Sequence, residues 1–136
     1  MSDELSTAEA LQARAGAALA RYDVAVRVED GGLGFEFDGS LCSLRGVNLS
    51  PGLDVLTLTC VLAWDRPLKP QLHKRVAERN AALQFGSITI VGHDKLADII
   101  LRYTFPAAGL EDEPLATMLL LVLSGAGRAR QGLVLP

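Results

Sequence analysis

A chain of 136 residues has room for one domain (1–136), and with 49% apolar and 21% charged residues it has the composition of a folded protein rather than a disordered one. Its net charge of −3, with 13 Lys and Arg spread along the chain and no basic run, argues against a nucleic-acid ligand. The acidic opening Met1-Ser2-Asp3-Glu4 lacks the features of a signal peptide, and the longest apolar run, Met118 to Leu123, falls well short of the roughly 20 residues that span a bilayer, so a soluble, cytoplasmic protein without a membrane partner is expected.

Ser6-Thr7-Ala8-Glu9 has the spacing of a capping box and predicts a helix from Thr7 to about Arg21. Leu5, Ala8, Leu11, Ala15, Ala18 and Leu19 recur on one face of it. That face is made mostly of small residues, so the helix can pack closely. Val24, Val26 and Val28, then Leu33, Phe35 and Phe37, alternate on either side of the turn residues Glu29-Asp30-Gly31-Gly32, a hairpin pattern. Asp38-Gly39 ends it, Leu41 to Leu49 is a further strand, and Ser50-Pro51-Gly52 is another turn.

Leu53 to Trp64 carries the strongest strand pattern, with Leu56, Leu58, Cys60, Leu62 and Trp64 on the core side. Val55, Thr57, Thr59, Val61 and Ala63 fall on the other side, half polar and uncharged, a face suited to cover by a helix or a second subunit. Asp65-Arg66-Pro67 is expected to end this strand. Pro70 suits the first turn of a second helix running to about Leu83, with Leu72, Val76, Ala77 and Leu83 buried. Phe85 to Val91 and Leu96 to Phe105 form a hairpin across Gly92-His93-Asp94-Lys95. A third helix begins at Asp112 or Glu113, where acidic residues complement the helix dipole, and Gly125 is expected to stop it. From Leu115 to Leu123 that helix is apolar almost all round, which calls for cover beyond the parent sheet, most simply from a dimer partner. The predicted fold is α+β, an antiparallel sheet packed with helices in the order helix, strands, helix, β-hairpin, helix.

Residues that could carry chemistry are few. His73 lies on the polar side of the second helix and His93 in a hairpin turn, and neither has metal-ligand spacing with another His, Cys or carboxylate. Gly31-Gly32-Leu33-Gly34 lacks the Lys-Ser/Thr of a phosphate-binding loop and precedes a strand. Cys42 and Cys60 sit among apolar neighbours and read as buried thiols rather than a disulfide. The acidic cluster Glu111, Asp112 and Glu113 reads as dipole compensation, and Trp64 as core packing. No catalytic residue, metal site or cofactor is therefore expected, and a pocket holding His93 with two carboxylates is the observation that would revive an enzyme.

Leu33-Gly-Phe-Glu-Phe, Leu53 to Trp64, Phe85-Gly-Ser-Ile-Thr-Ile and Leu101-Arg-Tyr-Thr-Phe-Pro, followed by the acidic helix start and Met118-Leu-Leu-Leu-Val-Leu, resemble bacterial YbjN-family proteins over nearly the whole chain after the first helix. Such proteins look like type III secretion chaperones, whose order is helix, three strands, helix, two strands, helix. The resemblance implies a homodimer with a surface for an extended segment of a protein client. Met118, Leu119, Val122 and Leu123 on the third helix, with Val55, Thr57, Thr59 and Val61 on the long strand, are the expected dimer or partner interface. The alternative is a small-ligand-sensing regulatory domain, with the ligand between sheet and helix near Trp64 and Tyr103.

Overall fold

The computed structural model describes residues 6–134, so the expectations for residues 1–4 and for Leu5 lie outside the described residues. The elements run α1 (Thr7–Ala20), β1 (Arg27–Glu29), β2 (Gly32–Phe37), β3 (Ser40–Ser50), β4 (Leu53–Pro67), α2 (Pro70–Ala82), β5 (Ser87–His93), β6 (Leu96–Pro106) and α3 (Asp112–Val134). The expected α+β order is present. Four strands rather than three separate α1 from α2, the first of them only three residues long.

The capping box forms as the sequence requires. Ser6 Oγ accepts the Glu9 N–H at 3.0 Å, and a Glu9 carboxylate oxygen accepts the Ser6 N–H at 3.0 Å. The α1 helix then buries Ala8, Leu11, Ala15, Ala18 and Leu19. These small side chains let its backbone settle close to the sheet at Gly46 of β3, whose N–H donates to Gln12 Oε1 at 3.0 Å.

The six strands form one antiparallel sheet in the order β1-β2-β3-β4-β6-β5. Two hairpin turns, Asp30-Gly31 and Asp38-Gly39, hold both residues at positive φ, the backbone of the two-residue turns that match strand twist. Directly opposed residues face the same side of an antiparallel sheet, so the pairs Leu33 with Leu44, Cys42 with Cys60, Leu58 with Tyr103 and Leu101 with Ile88 define one apolar face. Cys42 and Cys60 are free, buried thiols, and the Cys42 thiol beside it together with burial pushes the Cys60 thiol up, which keeps it in its unreactive protonated form.

All three helices cover this one face. The α1 helix packs on β2, β3 and β4, α3 on β4, and α2 on β5, while α3 also touches both other helices. Its central place corrects two expectations. Leu115, Leu119, Val122, Ala126, Ala129 and Leu133 form a continuous stripe at alternating spacings of four and three, so burial carries α3 through Gly125 instead of stopping there. Most of the apolar stretch is covered within the chain, because α1, α2 and the sheet take Leu115, Ala116, Leu119, Val122 and Leu123, while Met118 and Leu120 are half-buried and Leu121 is exposed. By contrast α2 lies at the margin of the helical layer and buries only Leu72 and Val76; Leu83 is half-buried and Ala77 is exposed, against expectation, since it falls outside this narrow stripe.

The β4 strand also departs from its sequence pattern. It runs past Asp65 to Pro67, with irregular register between Val61 and Ala63 and between Ala63 and Arg66. Leu62 is the extra residue at the first irregularity, so Leu62 and Ala63 are both buried and the alternation beyond them is inverted. Trp64 therefore points away from the helices and is 56% exposed, not packed in the core. At the other margin, the Asn80 amide of α2 both donates to the Ile88 carbonyl and accepts the Ile88 N–H, at 2.9 and 2.7 Å, closing part of the outer edge of β5.

Candidate functional site

With the helices all on one side, the opposite face of the sheet is left uncovered by the described residues. Pairing register places Leu41, Val61, Ile100 and Thr89 in one row across β3, β4, β6 and β5. The next row holds Ser43, Thr59, Arg102 and Ser87, and the one after it Arg45, Thr57 and Thr104, with the Thr57 and Thr104 hydroxyls 3.1 Å apart. Toward the far end of the face stand Trp64, Val91 and Leu96, each at least a third exposed. An apolar row of this kind, bordered by hydroxyls and single charges, has the make-up of a protein contact surface.

The eight expected interface residues divide between the two sides of the sheet. Thr57, Thr59 and Val61 lie half-buried on the uncovered face, and Val55, at its margin between Val47 and Pro106, is buried. Leu119, Val122 and Leu123 are no more than 1% exposed and belong to the core of the chain, with half-buried Met118 packed against it. The two groups therefore do not meet, and α3 has no free apolar stripe of these residues to offer a partner. What the sequence missed is the contribution of Leu41, Ile100 and Trp64, which emerges only once register and bulges are known.

The ligand pocket expected near Trp64 and Tyr103 is not formed by those residues. Trp64 is on the uncovered face, whereas Tyr103 is on the helix side, with ring centroids of Phe85 and Phe105 at 5.8 and 5.2 Å. A hollow of about 740 Å³ lies elsewhere, lined by Arg21, Tyr22, Glu111, Asp112 and Glu113. Here Asp112 also holds Arg14 of α1 at 2.9 Å, so part of the acidic cluster ties two helices together.

His93 is the other departure. It ends β5 rather than sitting in the turn, and its Nε2 lies 3.2 Å from carboxylate oxygens of both Asp65 and Asp98. Sequence spacing gives His93 no ligand-like partner, yet the fold brings two carboxylates to it: Asp65 comes from the β4 bulge, 28 residues away in sequence, at a backbone φ of 50°. The three groups stand on the surface, with His93 and Asp65 exposed and Asp98 half-buried, and not in a pocket. The hydrogen bond to Asp98, with the nearby charges of Asp65 and Asp94, holds the His93 ring above the ordinary histidine value. The Asp65 N–H, 2.9 Å from its oxygen, and then His93 hold Asp98 below the ordinary carboxylate value.

In a proton NMR titration in metal-free buffer, His93 is expected to titrate above an unperturbed histidine, and Asp98→Asn should lower its midpoint. Because the folded value is raised, the stabilisation is complete below the unfolded histidine pKa and disappears as pH rises through the folded one. A His93 midpoint unmoved by Asp98→Asn would contradict this geometry.

No family model and no curated relative matches the chain. Among solved structures it is similar to the crystal structure of YbjN, a candidate transcription regulator from E. coli, at 10% sequence identity and a TM-score of 0.58, covering 85% of this chain and 84% of that one. At that identity the likeness is one of fold, and it agrees with the architecture read from the strand pattern.

Proposed function

We propose that this chain is a non-catalytic protein-binding module whose uncovered sheet face docks a polypeptide. The first occupant is a second copy of the chain, and an extended segment of a client takes that place in a chaperone-like role. The observation that carries the reading is the one-sided cover of the sheet: three helices lie on one face while Leu41, Val61, Ile100 and Trp64 lie on the other. Two such faces can stack at the usual separation of about 10 Å, and a two-fold axis would make the contact self-complementary. No described helix is long and apolar enough to cross a membrane.

Val61 is the residue to change, because it sits at the middle of the apolar row but is only half-buried within the chain. Val61→Asp is expected to leave the circular-dichroism spectrum unchanged and to shift the solution mass from two chains to one, since a charge in an apolar contact is left without a partner. Light scattering on the eluting peak checks it. A mass of two chains for the variant would reject this face as the site of self-association.

A further inference from the structure

We propose that Asp65, His93 and Asp98 bind one first-row divalent transition-metal ion, of the zinc or nickel type, at the end of the uncovered sheet face. The donor atoms of the three side chains all lie within 4.8 Å of one another. His93 Nε2 is 3.2 Å from an oxygen of each carboxylate. Two donors bound to the same ion at roughly 2.1 Å stand about 3.0 Å apart in an octahedral arrangement and about 3.4 Å apart in a tetrahedral one. Both His93–carboxylate separations fall between these limits, so an ion can be held once the two carboxylates turn to bring their oxygens to the same spacing.

The donor set selects the class of ion. One imidazole nitrogen with two carboxylates suits zinc, nickel or cobalt, whereas calcium and magnesium prefer oxygen alone. Support beyond the donors is also present. The Asp65 N–H donates to Asp98 Oδ1 at 2.9 Å, the same oxygen that faces His93, and so holds that donor in position, and the β4 bulge delivers Asp65 to the same place. Because His93 and Asp65 face solvent, water would complete the coordination shell.

Trp64, the single tryptophan, directly precedes Asp65 and provides a local signal. The experiment titrates tag-free full-length protein with Zn²⁺ by calorimetry and with Ni²⁺ by quenching of Trp64 fluorescence. One ion per chain is expected, with saturable quenching by Ni²⁺. His93→Ala and Asp65→Asn should each weaken binding by about tenfold or more, while retaining the circular-dichroism spectrum. His73→Ala, which removes the only other histidine, should leave affinity unchanged. Failure to saturate at millimolar Zn²⁺, or equal affinity in folded His93→Ala, would overturn the assignment.

Discussion

Val122→Asp is expected to abolish folding rather than to separate subunits. Val122 is 1% exposed, between the sheet and the neighbouring helices, and its position in the α3 stripe leaves no route for a carboxylate to reach water. The substitution loses about 2 kcal/mol of valine burial and adds several kcal/mol for an unpaired buried charge, against a total stability of about 5–15 kcal/mol for a domain. Circular dichroism and urea unfolding provide the readout. A Val122→Asp protein that is folded and one chain in mass would restore α3 as the interface, as the sequence pattern alone suggests.

Gly46→Ala should cost about 1–3 kcal/mol or more, a large penalty for one methyl group. On β3, Gly46 lies opposite Leu56 on the helix-covered face, where an added Cβ would run into the backbone carbonyl of Ala8 and against Gln12. Backbone cannot rotate aside as a side chain can. The α1 helix would have to lift, stretching the Gln12 contact to the Gly46 N–H and loosening Leu11 and Ala15 from the core. A denaturant midpoint close to that of the unchanged chain would show that α1 is held less closely than these contacts require.

Gly46 also shows where sequence and structure part. Its place within a strand is readable, and a glycine inside a strand is a recognised sign of close backbone approach, but which segment approaches is set by tertiary packing. Local chemistry is legible at many positions. The Ser6 and Glu9 box, the Asp-Gly turns, Pro70 at a helix start and the alternation of β6 each specify structure within a few residues. Gly125 misleads because a helix stop at glycine is only a local preference, which the buried Ala126, Ala129 and Leu133 outweigh.

The candidate site is legible only in part, for a related reason. Simple alternation assigns Thr57, Thr59 and Val61 to the less apolar side of β4, which is correct up to Leu62. Beyond the bulge the same rule inverts, and Trp64 and Asp65 move to positions that alternation cannot foresee. The approach of Asp65 to His93 depends on that bulge together with the pairing of β4, β6 and β5. The all-round apolar run of α3 suggests a demand for a second subunit, yet a helix flanked by two others over a sheet meets most of that demand within one chain and leaves only Leu121 exposed among its described large apolar side chains.

The most direct measurement is photo-crosslinking of the purified chain from a benzophenone side chain placed at Thr59, in the middle of the uncovered face, with Thr117 on the exposed side of α3 as the control. We expect a covalent dimer from Thr59 and none from Thr117, with the Thr59 product lost when Val61→Asp is added. No crosslink from Thr59, or an equal yield from Thr117, would contradict docking at the sheet face.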